Sequence, residues 1–404
     1  LKRVIVIGGG AAGFFAAIQA AALGAQVALI ERTSKTLAKV RISGGGRCNI
    51  THHCPDPAAL AAFYPRGGAW LQPAFEQFGQ PETLAWFEQN GVFAKIEPDG
   101  RMFPITDSSE TVAACLEHTA RGLGIDLHLS MAVTGIFPKD GGGFDITTGH
   151  GPFSADAVIV ASGGNPKPEN YMWLERLGLE VVAPVPSLFT FNLPNEPDLT
   201  ALTGLSVPDA EVLLPTLGER RRGPLLVTHW GVSGPAVLRL SAWCARPLAG
   251  LDYTTELQVN WLGIKPAAIL KILKQIRDDN PRKRLSNLAV PGVPRRLAQY
   301  ALERSGLPDT LTTSEAGNRH LEAWGQVLTQ DRYFTEGRTA FKEEFVTAGG
   351  VALGQINPLT MQAQQVPNLY FCGEVLDVDG VTGGFNFQAA WTTGWLAGSA
   401  AAKW

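Results

Sequence analysis

The chain contains no C-x-x-C pair. Its five cysteines, Cys48, Cys54, Cys115, Cys244 and Cys372, are odd in number and scattered over 404 residues. That pattern argues against a disulfide framework and suits a reducing, cytoplasmic setting. Positive charge is also scarce. A formal net charge of −3 offers no overall attraction to nucleic acid or to an anionic membrane, so any such partner must use a local patch. Apart from the N-terminal stretch, no run is long and apolar enough to span a membrane. A second G-x-G-x-x-G is missing, as is a complementary Cys/His pair at finger-like spacing; the first absence disfavours a separate NAD domain and the second a zinc finger. What is present, 45% apolar and 18% charged residues, describes a soluble protein with a sizeable core and room for two or three domains.

Lys2-Arg3 followed by VIVIGGGAAGFFAAIQAAALGA resembles the charged and apolar parts of a secretory signal. A strand–helix–strand reading fits better. Val4 to Ile7 is a β-rich run broken by three glycines, and Ala11 to Leu23 is a helix former stopped by Gly24. Gln26 to Ile30 is a second buried strand that ends at Glu31. Gly8-x-Gly10-x-x-Gly13 therefore sits in a complete dinucleotide-binding βαβ unit. Gly8 permits the tight turn, Gly10 the approach of a pyrophosphate, and Gly13 the packing of helix on strand. The helix N-terminus offers N–H groups to phosphate, and Glu31 would accept from adenosine ribose hydroxyls.

This fingerprint alone does not separate NAD from FAD. The C-terminal VPNLYFCGEVLDVDGVTGGFNFQAAWTTGWLAG arbitrates. It reads as a strand from Asn368 to Cys372, then Gly373-Glu374, a loop with Gly380, Gly383 and Gly384, and a helix from about Asn386 to Ala400. Such a returning segment suits FAD: the acid would meet the ribitol, and the second helix N-terminus would face the flavin pyrimidine and favour negative charge on the reduced ring. An NAD domain needs no such return.

Between these ends, Pro73 to Asn90 and Ser108 to Gly122 read as helices, with Ser108 an N-cap. Ile125 to Leu129, Ala132 to Phe137, Phe144 to Thr147 and Val158 to Ala161 read as strands, with Gly141 to Gly143 a hairpin turn in a small β meander. Composition changes near Pro184 and Pro186. The expected organisation is α/β: a discontinuous FAD-binding domain, 1–184 and 341–404, interrupted by an insertion, 185–340, mainly β over 185–265 and mainly helical over 266–330. The insertion is expected to wall the active-site cleft. In it, THWGVSGPAVL places His229 as a candidate proton donor. Ser233 reads as an N-cap and not as a nucleophile, because Pro235 stands where G-x-S-x-G needs glycine.

Several motifs taken together, VIVIGGGAAG (4–13), KVRISGGGRCNIT (39–51), DGRMFP (99–104), VIVASGG (158–164), THWGVSGPAVL (228–238), VTAGGV (346–351) and LYFCGEVLDVDGVTGGFNFQAAWTTG (369–394), resemble the bacterial NAD(P)/FAD-dependent oxidoreductases called the BaiN-like or YhiN-like flavoprotein family. One departure is Thr51-His52 where the family usually has Thr-Asn. The resemblance implies a glutathione-reductase-type FAD fold and one non-covalent FAD. NAD(P)H is the expected transient donor and a small organic molecule the acceptor, and reduction of a carbonyl-conjugated double bond is conceivable. The expected cofactor contacts are Gly8, Gly10, Ala12, Gly13, Glu31, Arg32, Lys39, Ser43, Gly44, Gly46, Arg47, Val133, Ala161, Gly163, Gly373, Glu374, Gly384, Phe385 and Asn386. Arg47, Asn49 and His229 are the catalytic candidates, and no metal is expected.

Other readings stay open at this point. Cys48 and Cys54 lie where flavin disulfide reductases keep a redox pair, although here the spacing is C-x5-C. Cys48, His52, His53 and Cys54 could ligate zinc. Nine cations between Lys271 and Arg304, namely Lys271, Lys274, Arg277, Arg282, Lys283, Arg284, Arg295, Arg296 and Arg304, face three acids and could grip RNA as in RNA-modifying flavoproteins, though a solvated helical face is preferred. A flavin-binding module without turnover is the remaining alternative.

Overall fold

The computed structural model describes residues 1–339 and 346–403. It divides into two compact units, Leu1–Pro186 with Phe341–Trp404, and Ser187–Ala340. The expected boundary at 340/341 lies outside the described residues.

The first unit is built on a five-stranded parallel sheet in the order Leu369–Phe371, Ala157–Val160, β1 (Arg3–Ile7), β2 (Gln26–Ile30) and Asp126–His128. The four strands other than the edge strand Asp126–His128, which is polar and largely exposed, are short and mostly apolar because both faces are covered. The strands end in register. Gly8 N–H donates to Ile30 O at 2.8 Å, Ala161 N–H to Ile7 O at 2.8 Å, and Cys372 N–H to Val160 O at 3.0 Å. Consequently Gly8, Glu31, Ala161 and Gly373 gather at the carboxyl edge, where open α/β sheets bind ligands.

Helix α1 (Ala11–Ala22) is buried along most of its length and stops at Gly24, which adopts φ +92°. Its neighbour is the C-terminal helix Phe385–Ala401. The two approach closely through glycine: a Cβ on Gly394 would lie 2.7 Å from Ala12 O, and one on Gly398 2.3 Å from Ala16 O. The first and last segments of the chain are thereby locked together.

A three-stranded antiparallel meander, Val133–Pro138, Phe144–Thr148 and Gly151–Ala155, and a small sheet of Thr51–His52, Arg101–Pro104 and Ala94–Ile96 complete this unit's strands, with Val181–Ser187 paired to Val346–Val351. The single helix expected over 73–90 is two, Gly68–Phe75 and Gln80–Gln89. Gly79 caps the second, its N–H donating to Glu82 Oε2 at 2.8 Å, and Pro81 in the first turn lacks the N–H that a continuous helix would use. Ser108 does precede its helix, Ser109–Gly122, but makes no side-chain cap bond.

The second unit carries a seven-stranded sheet in the order Asp331–Thr335, Thr255–Asn260, Ser206–Leu214, Glu219–Val227, Gly231–Ser233, Thr190–Asn192, Arg338–Thr339, with antiparallel pairing throughout. Phe191, Val212, Leu225, Leu240 and Trp261 fill its core, and Ile269, Leu273, Leu321 and Trp324 form a second cluster among the helices Pro266–Asp279, Arg295–Arg304 and Asn318–Gln330. The cap of helix Pro235–Trp243 is Gly234 at φ +95°, not Ser233, which remains in a strand. A Cβ at 234 would lie 2.9 Å from Pro224 O, so only glycine fits there.

Arg304 turns away from the basic surface and is half-buried. It donates to Asp331 Oδ1 at 2.7 Å and Glu196 Oε2 at 2.6 Å, in a buried network with Trp261, Tyr300 and Tyr333. Burial raises the Asp331 carboxyl, while Tyr333, Arg304 and Trp261 oppose the shift. Arg277 is likewise tied to Asp278 at 2.8 Å. Lys271, Arg282, Lys283, Arg284, Arg295 and Arg296 stay exposed, and Lys274 is half-buried. No described helix is long and apolar enough to cross a membrane.

Candidate flavin site

The first glycine loop has two crowded positions and one open one. A Cβ on Gly8 would meet Ala161 O at 2.2 Å, and one on Gly13 would meet Gly8 O at 1.8 Å, whereas one on Gly10 would meet nothing within 4 Å. The loop thus presses on the sheet at its ends and leaves room above the start of α1. Gly10 caps that helix without a side-chain bond, leaving the N–H groups of the first turn directed toward the space over the loop. Glu31 stands beside it: Oε2 accepts from Gly9 N–H at 2.8 Å, and Oε1 accepts from the Thr33 N–H and hydroxyl, each at 2.8 Å. Its one remaining lone pair, on Oε2, is the one a ribose hydroxyl would use. Met131 N–H donates to Glu31 O at 2.9 Å, which brings the chain just before Val133 to the same edge. Arg32 is exposed.

The stretch from Leu37 to Cys54 closes the other side. Leu37 N–H donates to Gly9 O at 2.8 Å and starts the helix Ala38–Gly46, which breaks at Ser43. Gly44, Gly45 and Gly46 follow at φ +57°, +68° and +85°, a run of left-handed residues that only glycine adopts without strain. Cβ atoms on Gly45 and Gly46 would meet nothing within 4 Å. Successive N–H groups in such a run form a concavity suited to anions. Ser43 itself donates back to Val40 O at 2.8 Å.

Two of the three cationic candidates, Lys39 and Arg47, have carboxylate partners. Lys39 Nζ lies 2.7 Å from Glu374 Oε2. Arg47 lies 2.9 Å from Glu97, 3.6 Å from Asp107 and 3.9 Å above the Phe103 ring, so its charge is offset on two sides. Asn49 is buried; its Oδ1 accepts from Met102 N–H at 3.3 Å and would lie 2.9 Å from a Cβ on Gly384. The loop from the start of the chain therefore abuts the loop near its end.

At that second loop Gly373, at φ +75°, packs where a Cβ would meet Ala12 Cβ at 2.7 Å, and its N–H donates to Thr393 Oγ1 at 2.9 Å. Gly384, at φ +96°, caps the C-terminal helix. Asn386 uses both ends of its amide on Gly380, each bond 2.9 Å long, and so shapes the loop. Phe385 is 1% exposed and forms a three-ring cluster with His52 at 4.6 Å and Phe63 at 4.4 Å, which makes its ring an anchor for the helix start. His52 Nδ1 lies 3.1 Å from Gly383 O, and since a carbonyl only accepts, that nitrogen carries the proton.

Thr347 was not singled out by the sequence reading. Its N–H donates to Glu374 Oε1 at 2.9 Å, and its hydroxyl is buried without a hydrogen-bond partner. A Cβ on Gly164 would lie 2.6 Å from that hydroxyl and 2.7 Å from Glu374 Oε1, so Gly164 is what lets the pair stand there. Gly163, at φ +74°, has open space beside it. Only the V-T-A-G-G-V motif hinted at Thr347; nothing in its residue types indicates an orphaned donor. Open space at Gly10, Gly45, Gly46 and Gly163, left-handed N–H groups, two ribose-type carboxylates and this buried hydroxyl fit an elongated phosphate-containing dinucleotide such as FAD.

The thiols do not resemble a redox pair. Cys48 is buried and its thiol pushed up to about 12, and burial also raises Cys54; both are free. Such thiols are protonated at neutral pH and poor nucleophiles. Cys54→Ser is expected to leave flavin reduction and reoxidation nearly intact in stopped-flow traces; loss of turnover together with a thiolate–flavin charge-transfer band would contradict this. Among the described residues no group of three His, Cys, Asp or Glu side chains is arranged to hold a metal. His229 is exposed in the second unit, with Nδ1 3.3 Å from Thr203 Oγ1.

A family profile described as HI0933-like protein Rossmann domain matches residues 2–400. Curated relatives include the ribosomal RNA dihydrouridine synthase of Escherichia coli (strain K12), 29% identical over 97% of this chain and 96% of the relative. Another is the 3-dehydro-bile acid delta(4,6)-reductase of Clostridium scindens, 29% identical over the whole of both chains. Among solved structures, the fold is similar to that of 3-ketosteroid-delta4-(5alpha)-dehydrogenase from Rhodococcus jostii RHA1, with a TM-score of 0.53 at 15% identity over 100% of this chain and 97% of the other. It is also similar to that of 3-ketosteroid delta1-dehydrogenase from Sterolibacterium denitrificans, with a TM-score of 0.53 at 14% identity over 100% of both. The glycine loops at the two ends of the chain, joined at one sheet edge, and a profile match that runs almost from end to end place this chain in the HI0933-like Rossmann family, a family of FAD-dependent oxidoreductases.

Proposed function

We propose that the chain is an FAD-dependent reductase that saturates a carbon–carbon double bond conjugated to a carbonyl, with NAD(P)H as hydride donor. One observation carries the acceptor class. Two relatives of equal identity bear names with unlike substrates but one chemical step, since making dihydrouridine from uridine and reducing a delta(4,6) bond of a 3-dehydro bile acid both add hydrogen across an alkene in conjugation with a carbonyl. Bound FAD would supply the two-electron chemistry, taking a hydride from the donor and delivering one to the alkene.

The chain's own residues would bind and orient. The first turn of α1 and the left-handed N–H groups of Gly44 to Gly46 favour the pyrophosphate. Glu31 suits the adenosine ribose, and Glu374, positioned by Lys39 and Thr347, suits the ribitol. The N-terminus of the Phe385–Ala401 helix favours negative charge at the flavin pyrimidine. Asn49, held by Met102, supports that end. His229 is the proposed proton donor to the acceptor, and Arg32, Val133, Ala161 and Gly163 are proposed to line the cofactor.

Anaerobic mixing with NADH or NADPH tests the oxidoreductase reading: flavin absorbance should bleach, and a conjugated enone should restore it. A protein that stays oxidised with both donors would instead be a flavin-binding module. A second reading, in which the alkene belongs to a uracil in RNA, is favoured by the name of the E. coli relative and by the exposed cations Arg282, Lys283 and Arg284. Replacing those three with Ala should leave reduction of a small enone unchanged if they only face solvent. If they hold RNA, the triple variant should bind it more weakly, with a salt slope shallower by roughly one log–log unit per lost phosphate contact. His229→Ala should slow enone reduction without loss of FAD absorbance.

A further inference from the structure

Arg338 in the second unit is mounted in an unusual way. Its guanidinium lies 4.7 Å above the Tyr253 ring and 6.0 Å from that of Phe189. Its Nε is sealed from solvent without a hydrogen-bond acceptor, and no ion pair of this side chain is found among the described residues. The contrast within the same unit is Arg304, whose guanidinium is saturated by Glu196 and Asp331. A cation with one donor buried and unsatisfied, and with no ion pair among the described residues, is costly to keep unless something else meets its charge.

The platform under it is held rigidly. Asp252 and Tyr253 are consecutive non-glycine residues at φ +48° and +57°, a left-handed pair that must be imposed by its surroundings. Two bonds impose it: Tyr253 N–H donates to Leu248 O at 2.8 Å, and the Thr335 hydroxyl donates to Tyr253 O at 2.8 Å. Phe189 stands edge-on to Tyr253 at 5.4 Å and 90°, and its own N–H donates to Ser241 Oγ at 3.0 Å. The backbone of Arg338 is registered opposite Phe191. With Nε closed off, the two Nη groups are the donors left to a ligand.

We propose that Arg338 on Tyr253 is a binding site for the carboxylate of an organic acid. A planar fork of two N–H donors matches two carboxylate oxygens, and the half-buried Tyr253, buttressed by the buried Phe189, would meet the apolar part of such a molecule. The site is independent of the flavin assignment.

The test is the melting temperature of the purified, FAD-loaded full chain, titrated with sodium benzoate or with inorganic phosphate at constant ionic strength. Benzoate should raise it saturably, because a ligand that binds only the folded state stabilises it. Arg338→Gln should raise the benzoate Kd roughly tenfold or more, at unchanged FAD content, and Tyr253→Leu should also weaken it. If the glutamine variant does not fold, Arg338→Lys decides: it keeps the charge and loses the fork, so a weakened Kd supports the site and an unchanged one overturns it. No saturable benzoate response, an equal response in Arg338→Gln, or a response to phosphate alone would each overturn the proposal.

Discussion

Alanine at position 13 should abolish flavin retention and destabilise the fold. Its Cβ would stand 1.8 Å from Gly8 O and 3.3 Å from Ala161 Cβ. The nearest obstacle is backbone, and Gly8 cannot retreat because its own Cβ position already lies 2.2 Å from Ala161 O. Relief requires α1 to lift from β1, at a cost on the order of 3 kcal/mol, and the lift carries the helix N-terminus away from the phosphates it would bind. Gly10→Ala is the informative companion. At φ −91° alanine is unstrained there and meets no protein atom within 4 Å, so the apoprotein should melt as the parent does. The new methyl would nevertheless project into the cradle, and FAD should be lost. Flavin absorbance per chain and the apoprotein melting temperature separate the two effects. A Gly10→Ala protein that keeps one FAD per chain would show that the cofactor lies elsewhere.

Removal of Arg66 should produce the largest loss of stability among single side chains near the second glycine loop. Arg66 grips Asp379 through Nε and Nη2, and their side chains are 11% and 0% exposed. The same two residues form an isolated backbone bridge, and a Cβ on neighbouring Gly67 would meet Val378 Cγ2 at 2.6 Å, so the contact is tight as well as charged. In Arg66→Ala the Asp379 carboxylate stays buried without its guanidinium, for a penalty of about 3–5 kcal/mol. Urea denaturation should show the midpoint fall with little change in slope. Arg66→Ala combined with Asp379→Asn should recover part of the loss, because the stranded charge is gone. A double variant no more stable than Arg66→Ala would mean that packing, and not charge, governs the site. Since Asp379 lies in the turn that leads to Gly383 and Gly384, both proteins should also bind FAD more weakly.

Much of the site was legible in local sequence. Glycine spacing, a β-rich run before it, a helix former after it and an acid at the end of the next strand are relations over a few residues, and the structure keeps them as β1, α1, β2 and Glu31. The same holds for the late strand, Gly373-Glu374 and the C-terminal helix. Matters that depend on residues far apart in the chain were not legible. Arg47 looked free to meet phosphate until Glu97, fifty positions on, closed on it. Lys39 meets Glu374 across 335 positions. Phe385 anchors its helix against His52 and Phe63 instead of presenting an open ring, and Arg304 turns inward to Asp331 and Glu196. Ser233 yields the cap to Gly234 because neighbouring strand backbone leaves no room for a Cβ. Periodicity and turn chemistry are short-range and so are written in the sequence. Which charge is neutralised, which hydroxyl is orphaned and which ring is buried depends on packing between distant segments, and only the tertiary structure decides that.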